Sequence, residues 1–522
     1  MPTTAAVPPH FVDETAASGL SQRFDGGYRY AVGGGVAVLD CNDDGRPDLY
    51  IAGGANRAAL FRNDSPTGGV LRFSRLADPV TDLTAVNGAY PIDIDGDGRA
   101  DLVVLRAGKS RILRGLGDCR FEDATAALGF DDLAADATGF SATWEGPATL
   151  PTLAVGHYLT LAPNGGLGVN CDPNVLVRPD AAGSGYGTPL SLAPGYCTLS
   201  MLFSDWDRSG RRDLRVSNDR QYYDPVNGQE QLWRMDPGQP PRLYTGADGW
   251  VKTQIEGMGI AGQDVTGDAY PEFFLTSQNA SKLQTLTSGP SQPIYADIGL
   301  ERGVNAAQPY TGDEHLPSTA WHPEFEDVNN DGLMDLFISK GNVDAQPDYA
   351  QKDPSNLLLG TPSGRFVESG LAAGIVSFDR GRGAALADLN LDGLLDLVLV
   401  NKGADVIVWR NVGGGTAAAP APMGQWLGLR LTQPGPNHDA IGAWIEVKVG
   451  DVTIRHELTI GGGHISGQLG WIHFGLGSAN AADVRVRWPD GEVGPWAHAA
   501  ADRFVIINRR ATAPIPWVPG AS

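Results

Sequence analysis

Six stretches of this chain place oxygen-bearing side chains at positions one, three, five and nine of a nine-residue run, a spacing that can wrap a hard divalent cation. They are DCNDDGRPD from Asp40, DIDGDGRAD from Asp93, DWDRSGRRD from Asp205, DVTGDAYPE from Asp264, DVNNDGLMD from Asp327 and DLNLDGLLD from Asp388. With position seven offering its backbone carbonyl, the candidate ligands of the first three are Asp40, Asn42, Asp44, Arg46 and Asp48; Asp93, Asp95, Asp97, Arg99 and Asp101; and Asp205, Asp207, Ser209, Arg211 and Asp213. Those of the last three are Asp264, Thr266, Asp268, Tyr270 and Glu272; Asp327, Asn329, Asp331, Leu333 and Asp335; and Asp388, Asn390, Asp392, Leu394 and Asp396. A cage of six or more oxygens suits calcium, whereas magnesium keeps much of its water and prefers a tighter octahedron. The expectation is about six calcium sites, one per loop.

The residues after each loop say what holds it. An EF-hand closes with Glu at position twelve between two helices. These loops close at position nine and run into DLYIAGG, DLVVLRA, DLRVSND, EFFLTSQ, DLFISKG and DLVLVNK. Short apolar runs bounded by Gly and Asn are strands, too short for helices. Each loop is therefore expected to be a turn between two strands of a sheet.

Spacing turns the repeat into an architecture. First positions lie 53, 112, 59, 63 and 61 residues apart, and a long period with one doubled step predicts a propeller or solenoid. A degenerate unit fills the gap: WEGPATLPTLAVGHYL, Trp144 to Leu159, keeps the apolar strand and has lost every carboxylate except Glu145. FVDETAASGL from Phe11, FEDATAALGF from Phe121, YADIGLERGV from Tyr295 and FVESGLAAGI from Phe366 recur between the loops as the outer part of a unit. Seven units of about 58 residues each suit four-stranded blades, and a closed ring removes the exposed edges that an open row of hairpins would leave. The fold class expected is all-β: a seven-bladed β-propeller over 11–415, its third blade degenerate with an insertion at 160–200, then a linker at 416–424 and a small β-sandwich or barrel at 425–510.

These pieces resemble the FG-GAP/VCBS-repeat proteins with a C-terminal ASPIC/UnbV domain, the family typified by cartilage acidic protein and its bacterial relatives. The resemblance runs from about Phe11 to Arg509. It rests on the six loops, the FxDxT-like markers and DRGRGAALADLNLDGLLDLVLVN from Asp379, and in the tail on NHDAIGAWIEV from Asn437, GGGHISGQLGWIHFGLG from Gly461 and VRWPDG from Val486. Ser209, Thr266, Glu272 and the missing Gly after Asp268 depart from the pattern, so loops three and four are expected to bind calcium more weakly. The resemblance implies an integrin-like calcium propeller with an adhesive or matrix role.

Composition agrees. With 522 residues, 69 Gly and 36 Pro, the chain is long enough for two or three domains and rich in turns. Nineteen carboxylates sit among the loop ligands, and six calcium ions would cancel about half of the net charge of −22. Nucleic acid and anionic membranes are thereby disfavoured as partners, and no apolar run is long enough to span a bilayer. Cys171 and Cys197 bracket a Pro- and Gly-rich stretch; a disulfide there removes ~3–4 kcal/mol of loop entropy in the chain-entropy model and needs an oxidising compartment. Cys41 and Cys119 can pair or stay as buried thiols. MPTTAAVPPH lacks the charged and apolar regions of a signal peptide. A secreted, periplasmic or cell-surface location is expected, with the export signal removed ahead of Met1.

In the tail, QWLGLRLT, AWIEVKVG, VTIRHELTI, WIHFGLG, VRVRWPDG and RFVIINR alternate like strands. Trp444, Trp471 and Trp488 are expected to fill its core, and GGGTAAAPAPMG before it reads as a flexible linker. Two kinds of function stay open. One is a scaffold that binds an extracellular protein or glycan, the reading that the resemblance to adhesion and matrix proteins implies and that is favoured here. The other is a secreted calcium-dependent lyase, hydrolase or cyclase in the propeller funnel, with Arg220, Tyr222, Tyr223, Asp224, Arg380 and Arg382 as candidate funnel lining. Asp313, Glu314, His315, His322 and Glu324 make the best titratable cluster, though a solvated loop explains it as well. His438 beside Asp439, His464 and His473 are read as structural. Ser466 lacks a G-x-S-x-G elbow, and Gly33–Gly35 and Gly461–Gly463 lack the Lys-Ser/Thr of a phosphate loop.

Overall fold

Each acidic loop ends where a strand begins, and the side chain at position nine is the reason. Asp48, Asp101, Glu272, Asp335 and Asp396 each turn one carboxylate oxygen to the backbone N–H at position two, closing the loop at 2.8 to 3.0 Å. In Asp48, Asp101, Asp335 and Asp396 the other oxygen accepts the N–H of Asn63, Gly115, Gly360 and Asn411 in the third strand of the unit. An acid at this position thus joins loop, second strand and third strand before any ion is considered.

The computed structural model describes residues 6–133, 135–161, 167–219, 224–278, 280–305, 318–343, 350 and 353–520. Asp313, Glu314, His315, Arg220, Tyr222 and Tyr223 lie outside them. The chain builds antiparallel four-stranded meanders, such as Val86–Ile92, Asp101–Arg106, Arg111–Gly115 and Phe121–Asp123. The recurring FxD markers are the outermost strands. Phe11–Asp13 pairs with Ile407–Asn411, so the first strand of the chain completes the last meander.

The first strands of the units line the centre. Val36–Leu39 packs against Val86–Ile92, and that strand against Ala137–Thr143. Thr198–Ser204, Gly257–Gln263, Ala320–Glu326 and Arg380–Ala387 follow in turn, and the last returns to Val36–Leu39. This closed circuit of radial sheets is a β-propeller. Its apolar core lies between neighbouring sheets; Leu49, Phe61, Leu102, Leu113, Val398 and Val408 form one such wedge. A buried ion pair, Arg410 Nε to Glu14 Oε1 at 2.8 Å, reinforces the closure, and Glu14 Oε2 also accepts the Leu71 N–H.

Two expectations need correction. The stretch 160–200 is not simply an insertion, because Asn174–Val177 and Leu190–Leu192 are the third and fourth strands of the degenerate unit. Asn174–Val177 is wholly buried but only four residues long, and Leu190–Leu192 is three residues and mostly exposed, so neither is long enough to stand out in a Pro- and Gly-rich stretch. A separate hairpin, Leu159–Leu161 with Leu167–Cys171, is the true addition. The linker is likewise no free tether: Thr416 and Ala419 exchange backbone hydrogen bonds at 3.0 Å in a tight turn laid against Val412 and Gly413.

The tail folds as two four-stranded sheets, one around Gln425–Thr432 and the other around Trp444–Val449, with Leu427, Ile445, Val447, Phe474, Val484 and Trp488 between them. Trp488 is buried in this core, as expected; Trp444 is equally buried but lies on the opposite face of its strand from Ile445 and Val447, with Arg208 of loop three 4.6 Å over its ring. Trp471 departs from that expectation: it stacks with Phe504 and Trp517 and donates its Nε1–H to Gly45 O of the first loop at 3.0 Å. Both cysteine pairs are disulfides, Cys41 with Cys119 and Cys171 with Cys197. Among the described residues no helix is long and apolar enough to cross a membrane.

Candidate functional site

Backbone amides wire each loop around its first carboxylate. Asp40, Asp93, Asp327 and Asp388 accept N–H groups from positions five and six at 2.7 to 3.2 Å. Asp44, Asp97, Asp331 and Asp392 each accept the N–H at position seven. The carboxylates thereby converge. Asp93, Asp95 and Asp101 bring one oxygen each within 4.8 Å of one another. Burial, with Asp95 and Asp93 adding to it, pushes Asp101 up to about 8. Burial and then Asp331 push Asp327 up to about 8 as well. In the last loop Asn390 Oδ1 is buried without a hydrogen-bond donor among the described residues. Crowded anionic oxygens and an orphaned amide oxygen are the donor set that a hard cation satisfies.

Loops three and four differ. Arg211 reaches across loop three, from Asp207 at 3.4 Å to Asp213 at 2.8 Å. Asp213 also accepts Trp206 Nε1, the Tyr244 hydroxyl and the Met235 N–H. Arg46 and Arg99, at the same position of loops one and two, turn instead toward position five. In loop four Arg455 of the tail lies 3.2 Å from Asp264, while Glu272 is saturated by Val265 N, Thr266 N, Thr266 Oγ1 and Thr285 Oγ1. A guanidinium already supplies positive charge in both loops. They are the two in which the sequence departs from the pattern.

The loop face of the ring carries the tail. Trp471 meets loop one; Pro436 lies against Gly96 of loop two; Glu457 accepts the Asp205 N–H and Ser204 Oγ of loop three at 2.7 and 2.6 Å. Beyond Arg455 on loop four, His473 Nε2 sits 2.6 Å from Asn330 Oδ1 of loop five, and Trp426 lies over Gly393 of loop six. Burial pushes His473 down to about 3, so it is neutral.

From this face one tail segment, Ile460–Gln468, enters the ring. Ile460–Gly461 pairs with Ala137–Thr143 and bridges to Leu202, stitching two meanders into a nine-stranded sheet. Gly462 N donates to Met201 O, Gly463 N to Ile260 O, and His464 N to His322 Nδ1 at 3.0 Å. Since His322 Nδ1 accepts, its Nε2 carries the proton and faces Glu324 Oε2 at 3.2 Å. His464, driven down to about 3 by burial, stacks on Trp321 and donates Nε2–H to Val32 O at 2.8 Å. Ser466 Oγ accepts the Val36 N–H, and Gly467–Gln468 adds a parallel strand to Ala37–Val38.

The glycine triplets belong to this insertion. Gly461, Gly462 and Gly463 all have positive φ, at 127°, 72° and 54°. On the ring side, a Cβ on Gly35 would lie 1.8 Å from Ile465 O. The centre expected as an open funnel is thus entered by the chain itself, and the space left beside the plug is a cavity of ~180 Å³ lined among others by His322, Glu324, Glu326, His456, Ser466 and Gln468. Arg382, expected to line that space, is wholly buried, donates to Ala31 O, Gly341 O, Gly381 O and Asn342 O and lies 4.2 Å over Trp321. Asp224 instead caps a local turn through the Asn227 N–H. Only the triplets hinted at the plug, and they name no partner.

Residues 433–514 match the family model described as ASPIC and UnbV. Residues 40–104 and 327–399 match that of the FG-GAP-like repeat. No curated protein matches the chain. Among solved structures, BBS1N in complex with ARL6DN, soaked with mercury, is similar at 9% identity over 80% of this chain and 100% of that one, with a TM-score of 0.42. A functionally unknown protein from Desulfotomaculum acetoxidans is similar at 10% identity over 64% and 84%, with a TM-score of 0.36. A triple arginine-to-alanine mutant of AofleA from Arthrobotrys oligospora is similar at 11% over 66% and 88%, with a TM-score of 0.34.

Gly35→Ala forces a methyl into the Ile465 carbonyl, an overpacking that costs ~1–3 kcal/mol. Its thermal midpoint is expected to fall. Gly27→Ala, where a Cβ meets nothing within 4 Å, is expected to leave the midpoint unchanged or raise it slightly. Equal midpoints for the two variants in differential scanning calorimetry would remove the plug's steric role.

Proposed function

Since the chain carries FG-GAP-like repeats followed by an ASPIC and UnbV domain, we propose that it is an extracytoplasmic, calcium-held scaffold whose outer surface binds a protein or a glycan. Read as seven blades with the degenerate third, the ring carries six loops, and calcium occupies four: those at Asp40, Asp93, Asp327 and Asp388. The observation that carries this reading is the contrast between those four, where among the described residues guanidiniums reach only the third or fifth position (Arg114 to Asp95, Arg46 to Asp44, Arg99 to Asp97), and the two in which Arg211 pairs with Asp213 at position nine or Arg455 with Asp264 at position one. Two disulfides support an oxidising compartment, where free calcium is plentiful. Exposed rings at Tyr28, Phe378 and Trp496 offer anchors for a partner.

The ions act on the tail as well as on the loops. Every loop touches the tail, so neutralising the loop carboxylates lowers the cost of covering them. Removing the ions is expected to loosen the tail's seat before it unravels the blades.

Metal analysis of protein dialysed against calcium is expected to find four ions per chain. Six would refute the guanidinium reading, and none would refute calcium altogether. A screen of glycans and secreted proteins, run with and without chelator, is expected to find saturable binding lost with chelator; turnover of an offered substrate would overturn the scaffold reading. Stability should also change sign with pH. Without metal, Asp101 and Asp327 titrate near 8 when folded and near 4 when unfolded. The fold therefore takes up protons, and its stability rises as pH falls from about 8 toward about 4. With calcium the carboxylates stay ionised below their unfolded pKa, so stability is full above about pH 4 and is lost on acidification. Parallel denaturation series in calcium and in chelator that move together with pH would contradict this.

A further inference from the structure

One group of metal-ligating side chains is left over by the loops. Beside loop two, the tail brings His438 and Asp439 to Asp93, with one ligand atom of each within 4.8 Å of the others. Asp93, common to this group and to the loop, leaves 3% of its surface exposed, and Asp439 leaves 8%. For a carboxylate so buried, Asp439 is poorly served: the one polar group paired with it among the described residues is His438 Nδ1, at 3.7 Å, too long for a hydrogen bond. His438 Nδ1 is itself a buried atom without a hydrogen-bond partner. His438 keeps a third of its side chain exposed, yet its Nδ1 and the carboxylate of Asp439, both beside Asp93, have no hydrogen bond among the described residues at a depth where polar atoms are ordinarily paired.

The turn that presents them is held firmly. Asn437 clamps it with a reciprocal pair, Oδ1 from the Ile441 N–H and Nδ2 to Ile441 O, both at 2.8 Å. Gln433 N donates to His438 O, and Ala440 adopts a left-handed φ of 56°. On the other side, the three N–H groups that bind Asp93 fix its carboxylate. All three ligands therefore sit on immobilised backbone, which is what a preorganised site requires.

We propose that Asp93, His438 and Asp439 form a second kind of cation site, at the seam between ring and tail, which takes a divalent transition metal of the zinc class. An imidazole nitrogen with two carboxylates suits zinc, nickel or iron, whereas calcium and magnesium take oxygen ligands almost exclusively. Three protein ligands leave a coordination position for water or for an exogenous ligand. The metal would pin the tail to loop two through a ligand that is no part of the calcium loop, so the two ions are separable by experiment.

Calcium-saturated protein is titrated with zinc by isothermal calorimetry, and with cobalt(II) by visible absorption. One equivalent of zinc is expected, with cobalt d–d bands of low-coordinate intensity. His438→Gln and Asp439→Asn are each expected to weaken zinc at least tenfold and to erase the cobalt bands, with the calcium count unchanged. His498→Ala, at an exposed histidine on the edge strand Ala497–Ala500 of the tail, should change neither. Absence of zinc binding in the parent protein overturns the site and marks His438 as an imidazolium between two carboxylates. Zinc binding that survives both variants also overturns it, as adventitious surface binding. Circular dichroism checks that each variant is folded, and the two variants, unlike in size and charge, do not depend on one another.

Discussion

Like charges gathered under a lid set the terms for this fold. The acidic loops all point to one face of the ring, and that face is covered by the tail, so carboxylates that repel one another are also withdrawn from water. An arrangement of this kind persists only if positive charge comes with it. Loops three and four take theirs from Arg211 and Arg455, and Glu446 and Glu457 of the tail answer Arg208 and the Asp205 amide in turn. At the other loops no guanidinium among the described residues pairs with the first or ninth carboxylate, and the calcium proposed above would supply the missing charge. Burial raises the carboxyls there, the signature of an interior that favours either a proton or an ion.

Covering the loop face also explains why the ring is plugged. A propeller's inner strands leave a channel whose backbone groups need partners, and Ile460–Gln468 supplies them from the tail. Close approach demands small residues on both sides, which is why the inner strands read GMGIAGQ and RGRGAALA rather than the Val- and Leu-rich runs of ordinary buried strands. Ring and tail are consequently one hydrogen-bonded body. Most of the loop face and of the channel is thereby covered internally, apart from the cavity beside the plug.

Much of this was legible in the chain. The DxDxD spacing located the loops, the apolar runs after position nine located the second strands, and the FxD markers located the outermost ones, because each is a local pattern with a local cause. Residues whose partners are distant in sequence were not legible. Nothing around Gly35 announces Ile465, and Arg455 reads as an exposed strand residue until Asp264 is beside it. Trp471 was assigned to the tail core because burial of a tryptophan does not say against what. The weak departures at Ser209, Thr266 and Glu272 proved more informative than they looked: they mark the loops in which an arginine reaches the ninth or the first carboxylate. The acid at position nine carried a double meaning, since its staple to the third strand accounts for it even without a metal.

Closure of the ring needs both ends of the chain at once. Phe11–Asp13 completes the last meander only after Ile407–Asn411 exists, and the plug can enter only when residues beyond 460 are made. Contacts separated by some 400 residues therefore close the structure, and such pairings pay their loop entropy before they return any stabilisation. Until then the inner strands face an unfilled channel, with glycine-rich backbone unpaired and no side chains to shield it. The loops, by contrast, are local and can gather an ion as soon as a single meander forms. Under the calcium proposal an ion neutralises the face on which the tail settles, whereas the glycine segment, whose partners lie in several meanders, needs the closed ring before it can dock.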